Sequence, residues 1–149
     1  MGSKKTKKGS INRQKKTQKN IVADSWKKQY PVWRFGKCDS EHEKWGVGIK
    51  ENLYVDIIGK LISYETMTWS EIDKITNDKG KSKHHFVEVK NFIKEAQDRL
   101  RSLNITDDTL YSFALTNKLR LYGILSDGIY QIVWCDTEHE IYPTKKRGT

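Results

Sequence analysis

Along the chain the hydrophobic residues take first an alternating, then a helical, then again an alternating spacing. Tyr30-Pro31-Val32-Trp33-Arg34-Phe35 alternates and predicts a short strand ended by Gly36, with Pro31 at its first position or on a sheet edge. Residues 36–50 read as a loop, because glycines 36, 46 and 48 surround Trp45. Gly46-x-Gly48 lacks a third glycine and a following βα unit, so it carries no nucleotide-binding weight. From Asn52 the period becomes helical, with Leu53, Ile57, Leu61 and Tyr64 on one stripe and Val55, Ile58 and Ile62 beside it. Thr68-Trp69-Ser70-Glu71 is a capping box for a short helix through Ile75. The polar run from Asn77 to Ser82 is a loop. A third helix is predicted from about Val89 to Leu103 on Phe92, Ile93, Ala96, Leu100 and Leu103, with Asn104 as its stop.

The remainder reads as strand. Leu110 to Thr116, Leu119 to Ser126 and Ile129 to Asp136 form a three-stranded antiparallel meander, turned at Asn117-Lys118 and at Asp127-Gly128. Two-residue turns at both places pair Tyr122 with Val133, Arg120 with Cys135, Phe113 with Tyr122 and Leu115 with Arg120. Both faces are then apolar, so the second face is either covered, by residues 26–50, or docks a partner. The fold class expected is α+β: a short N-terminal strand, two to three helices, then the meander.

Charge divides the chain into three parts. The net charge is +9, from 28 Lys and Arg against 19 Asp and Glu. Eight of the bases (Lys4, Lys5, Lys7, Lys8, Arg13, Lys15, Lys16 and Lys19) lie in residues 1–20 without an acid, and Lys145, Lys146 and Arg147 lie at the other end. Taking eight and three from 28 leaves 17 bases against all 19 acids between residues 21 and 144, a net −2. The predicted organisation is a disordered basic tail over 1–25, one domain over 26–144 and a basic tail over 145–149. A polycation gains from counterion release at phosphates, so these Lys and Arg are candidate nucleic-acid contacts. Two cysteines, Cys38 and Cys135, without C-x-x-C spacing, point to a reducing compartment and away from a disulfide framework or structural zinc. No apolar run reaches the ~18 residues of a membrane span, and no signal-peptide core precedes the domain. A cytoplasmic location, with no membrane partner, is the expectation.

No hydrolase elbow, P-loop, zincin or kinase signature occurs. His42 sits in a charged loop and reads as solvated; His84 and His85 precede the third helix; His139 follows the last strand. A metal set would combine His84 or His85 with Asp136, His139 and Glu140, but adjacent histidines point to opposite sides, so one packs and one is wet. A cofactor is not called for. Arg120 is an odd residue beside Leu115 and Cys135: it snorkels at an edge, pairs with Asp136 or Glu138, or serves as a fixed cation for a phosphate. With His139 as proton carrier, Lys145 to Arg147 as phosphate binders and Tyr142 as an orienting hydroxyl, the inventory fits RNA cleavage by transesterification, which needs no metal.

The runs Leu119-Arg120-Leu121-Tyr122-Gly123-Ile124, Ile132-Val133-Trp134 and His139-Glu140-Ile141-Tyr142 resemble the ending of the RelE/ParE superfamily of bacterial toxins. The resemblance covers roughly residues 87–142. It implies a phosphate-binding Arg120, a terminal catalytic or orienting pair His139 and Tyr142, an mRNA substrate at the ribosome, and an antitoxin partner. Two features depart from the pattern: Glu138 and Glu140 flank His139 where a basic residue is usual, and the helical part is longer. The stretch from Trp134 to Pro143 is also similar to the end of a set of small bacterial proteins without assigned biochemistry. The alternative is a non-enzymatic binding module that uses the apolar sheet face and the basic N-terminal tail.

Overall fold

A computed structural model describes residue 2, residues 25–48 and residues 52–143 of the chain. The basic candidates Lys4, Lys5, Lys7, Lys8, Arg13, Lys15, Lys16, Lys19, Lys145, Lys146 and Arg147 lie outside the described residues.

The architecture is α+β, but the sheet is five-stranded and mixed rather than a lone meander. Strand β1 (Val32–Arg34) lies parallel to β5 (Ile129–Asp136) at one edge. Strand β2 (His85–Glu88) lies antiparallel to β3 (Thr109–Ala114) at the other, and β4 (Arg120–Ser126) sits in the centre, giving the order β1-β5-β4-β3-β2. Asn52 caps a π-helical turn, Leu53–Ile58, by accepting from the Val55 N–H, and the turn passes into helix α1 (Gly59–Tyr64). Helix α2 (Trp69–Asp73) starts at the expected cap, where Thr68 Oγ1 accepts from the Glu71 N–H at 3.3 Å.

The third helix is shorter than its sequence predicts. Residues 85–88 join the sheet, Val89–Asn91 make a 3₁₀ turn, and α3 spans Lys94–Ser102. Pairing with β3 satisfies backbone groups that a helix start would leave open. Asn104 ends α3 with φ +57°, and the N–H groups of Asn104 and Ile105 return to the carbonyls of Arg101 and Leu100 at 3.0 and 2.9 Å.

Both sheet faces are covered, so neither apolar face is left for a partner. One packs against α3, Trp45 and Ile141 through Val87, Leu110, Tyr122, Val133 and Trp134. The other packs against α1 and α2 through Tyr111, Phe113, Leu121, Tyr130 and Ile132, with Trp26 and Trp33 at its margin. Trp69 is the pivot of this second core: its ring meets Trp33, Tyr111, Phe113 and Tyr130 edge-on at 5.8–6.4 Å, and its Nε1 donates to the Gly128 carbonyl at 3.0 Å. Edge-to-face pairs add about 0.5–1.5 kcal/mol each beyond burial.

Two register corrections follow. The Asp127-Gly128 hairpin pairs as predicted from Ser126↔Ile129 to Gly123↔Ile132, then a bulge shifts Tyr122 to Trp134, Leu121 to Cys135 and Arg120 to Asp136. A Cβ on Gly123 would run into the Gln131 carbonyl oxygen and lie 2.8 Å from the Tyr130 ring, so only glycine fits where the bulge starts. The other turn is longer than two residues: Leu115 N–H donates to the Leu119 carbonyl at 3.0 Å, and Thr116 Oγ1 accepts from the Leu119 N–H at 3.0 Å. Phe113 therefore faces Leu121, and Arg120 faces Ala114.

Residues 36–48 are held by Asp39. The buried carboxylate accepts from Arg99 Nε and Nη2 at 2.9 and 2.8 Å and from Trp134 Nε1 at 3.0 Å. His42 is not solvated as expected; it stacks on Trp45 with ring centroids 4.3 Å apart. Among the described residues no helix is long and apolar enough to cross a membrane.

Candidate functional site

A cavity of about 560 Å³ opens at the end of the sheet where β4 begins and β5 ends. Arg120, His139 and Tyr142 all line it. So do His85 on β2, Ser112 on β3, Tyr122 on β4 and Lys81 and Lys83 in the preceding loop.

Each wall has a local cause. The loop from Thr76 to Ser82 closes on itself because Asn77 Oδ1 accepts from the N–H groups of Lys79 and Lys81 at 2.9 and 3.1 Å, and Gly80 takes φ +73°. The His139 wall is shaped by Asp136. Its buried carboxylate accepts from the Ile141 N–H at 2.8 Å and the Glu138 N–H at 3.3 Å, and His139 takes the left-handed φ of +56° between them. Ile141, fully buried, accepts from the Ile93 N–H at 3.0 Å and so anchors the turn on the start of α3.

Arg120 is half-buried and carries its charge to this cavity. Its Nη1 donates to the Thr116 carbonyl at 2.6 Å and the Leu119 carbonyl at 3.3 Å. Asp136 lies opposite it in the register, yet among the described residues no carboxylate forms an ion pair with Arg120. The guanidinium therefore lines the cavity without a carboxylate at ion-pair distance among the described residues, and its charge acts on both imidazoles. Burial and then the Arg120 charge lower the His85 pKa; the same two causes lower that of His139, opposed by Asp136. Burial raises the Tyr122 hydroxyl, against a hydrogen bond with Ser112, so it stays a neutral phenol.

The flanking glutamates are directed elsewhere. Glu138 and Glu140 line a separate recess of about 60 Å³ with Lys44 and Thr137, and Glu138 lies 3.7 Å from Lys118 Nζ. Asp78 is the one carboxylate lining the cavity among the described residues. Neither glutamate beside His139 lines the cavity that His139 lines.

The histidine pair separates. His84 is buried, stacks on Phe113 at 4.2 Å and accepts the Ala114 N–H on Nδ1 at 3.0 Å, while His85 lines the cavity. The combination of His84 with Asp136 and His139 is therefore not formed, and no three metal-ligating side chains converge among the described residues. Sequence reasoning missed His85, Lys81 and Lys83 as cavity residues. The signal was present in His85-Phe86-Val87, where an apolar Val87 two residues on fixes which face His85 takes. Set against known proteins, the chain matches no family model and, at a significant level, no curated protein and no solved structure.

Proposed function

We propose that this protein is a metal-independent endoribonuclease of the RelE-like kind, acting on mRNA in the cytoplasm and neutralised by an antitoxin. The observation that carries the reading is that Arg120, His139 and Tyr142, distant in sequence from the Lys81–Lys83 loop, line one cavity with it. An excess of cations suits a phosphodiester, whose charge grows as a 2′-oxygen attacks phosphorus. His139 supplies proton transfer, Arg120 balances the developing charge, and Tyr142 orients the phosphate or ribose by hydrogen bonding.

Purified protein incubated with a transcript and a chelator is expected to produce fragments, and Arg120→Ala and His139→Ala to leave the transcript intact. Induced expression should arrest growth with the wild type only. Intact RNA with all three proteins removes the reading.

One observation favours a second reading, phosphate binding without turnover: Nη1 of Arg120 is committed to two carbonyls and so also serves the loop at Thr116. RNA retained uncut, with retention weakened by Arg120→Ala as well as by deletion of residues 1–20, would select it.

A further inference from the structure

We propose that His85 is the second proton carrier of this site, working opposite His139, so that the substrate must be RNA carrying a free 2′-hydroxyl at the cleaved position. The inference rests on the ribonuclease reading. Displacement at phosphorus puts the attacking and leaving oxygens roughly in line, so the group that takes a proton and the group that gives one must stand on opposite sides of the phosphate. His139 and Tyr142 share one wall, three residues apart in the turn after β5. Neither can serve the far side.

His85 does. It lies on the edge strand β2, and pairs with Ser112, which in turn pairs with Tyr122. Strands β2 and β5 are three spacings apart, ~14 Å of backbone, with Arg120 on the strand between β3 and β5. Both imidazoles line one cavity, His85 from β2 and His139 from the turn after β5, and the charge of Arg120, on the strand between β3 and β5, acts on both. The other charged or titratable groups facing them are Asp78, Lys81, Lys83, Tyr122 and Tyr142.

The division of labour follows from the surroundings. The Asp136 carboxylate holds the Glu138 and Ile141 N–H groups of the turn that carries His139, and there it opposes the burial and the Arg120 charge that lower the His139 pKa; among the described residues no carboxylate forms an ion pair with His85. His85 thus takes the proton of the 2′-hydroxyl as the 2′-oxygen–phosphorus bond forms. His139 gives its proton to the 5′-oxygen as the phosphorus–5′-oxygen bond breaks. The products are a 2′,3′-cyclic phosphate and a 5′-hydroxyl; the two imidazoles exchange their protons with water, and no co-reactant is consumed.

The test uses the full chain, a ribodinucleotide, its 2′-deoxy analogue, and a ribonucleoside 3′-(4-nitrophenyl phosphate), whose leaving group needs no acid. For His85→Gln, kcat should fall at least 100-fold with KM within about twofold, and the acidic limb of the pH–rate profile should disappear. Added imidazole should partly restore His85→Ala. On the nitrophenyl ester His139→Ala should recover activity and His85→Gln should not, and the deoxy analogue should stay uncut. Wild-type kcat in His85→Gln, beside an inactive His139→Ala, overturns the assignment and leaves the ribonuclease reading standing. Absence of cleavage by the wild type overturns both.

Discussion

Arg120 and Asp136 stand directly opposite each other on β4 and β5, yet each spends its hydrogen bonds on backbone: the guanidinium on the Thr116 and Leu119 carbonyls, the carboxylate on the Glu138 and Ile141 N–H groups. The pair acts as two clamps, one for each turn bordering the cavity. Replacing Asp136 by Ala leaves the buried Ile141 N–H without its acceptor and should cost about 1–3 kcal/mol in urea denaturation. Asn keeps one acceptor oxygen and should cost less. Ribonuclease activity should fall further in the Ala variant than in the Asn one.

Arg120→Lys keeps the charge and loses the planar fork. An ammonium cannot hold the Thr116 carbonyl and still present directed donors to a phosphate. Cleavage should fall roughly 10²–10³-fold, comparable to the loss of one oxyanion donor. Activity within a few-fold of wild type would show that only net charge is needed at position 120.

His84 should make stability depend on pH. Burial, then the charges of Lys83 and Arg120, pull its pKa down from 6.5 to about 3, and the neutral ring accepts the Ala114 N–H on Nδ1. Between those values the unfolded chain binds a proton that the folded chain refuses. This contribution is fully present above pH 6.5 and is lost as pH falls through the window, by up to ~1.4 kcal/mol per pH unit. His84→Asn supplies an acceptor that does not titrate. Urea midpoints at pH 4, 5 and 7 should converge between the two proteins as the pH drops.

Much of the core was legible from period alone. The helical start at Asn52, the cap at Thr68, the stop at Asn104, the Asp127-Gly128 hairpin and the edge strand near Trp33 all depend on short-range chemistry. What failed was register. Thr116 lengthens one turn through its own hydroxyl, and Gly123 admits a bulge because of a close approach from β5, a contact that is invisible before the strands pair. Those two shifts replace Leu115 and Cys135 by Ala114 and Asp136 as the neighbours of Arg120. Arg120, His139 and Tyr142 meet at one cavity despite the error, since Arg120 keeps its strand and His139 its place after β5. The place of His85 on the cavity wall was missed because its strand is four residues long and runs directly into the 3₁₀ turn, so that Val87 was its one marker of face.

Asp39 lies outside the cavity and should matter to stability only. Burial would raise its carboxyl, but Arg99, Trp134 and the Glu41 N–H outweigh that and hold it well below the usual range. Arg99→Met removes the bidentate partner of a buried carboxylate and should cost about 3 kcal/mol, read as a lowered urea midpoint with an unchanged slope.

The parallel pairing of Val32 with Ile129 joins the two ends of the described fold. During translation the partner of β1 does not exist until nearly the whole domain has been made, so Trp33 must wait for Tyr130 while β2, β3 and β4 are synthesised. The β1–β5 ladder therefore carries the largest loop-closure cost of the sheet, because its two strands are the farthest apart in sequence of any paired strands.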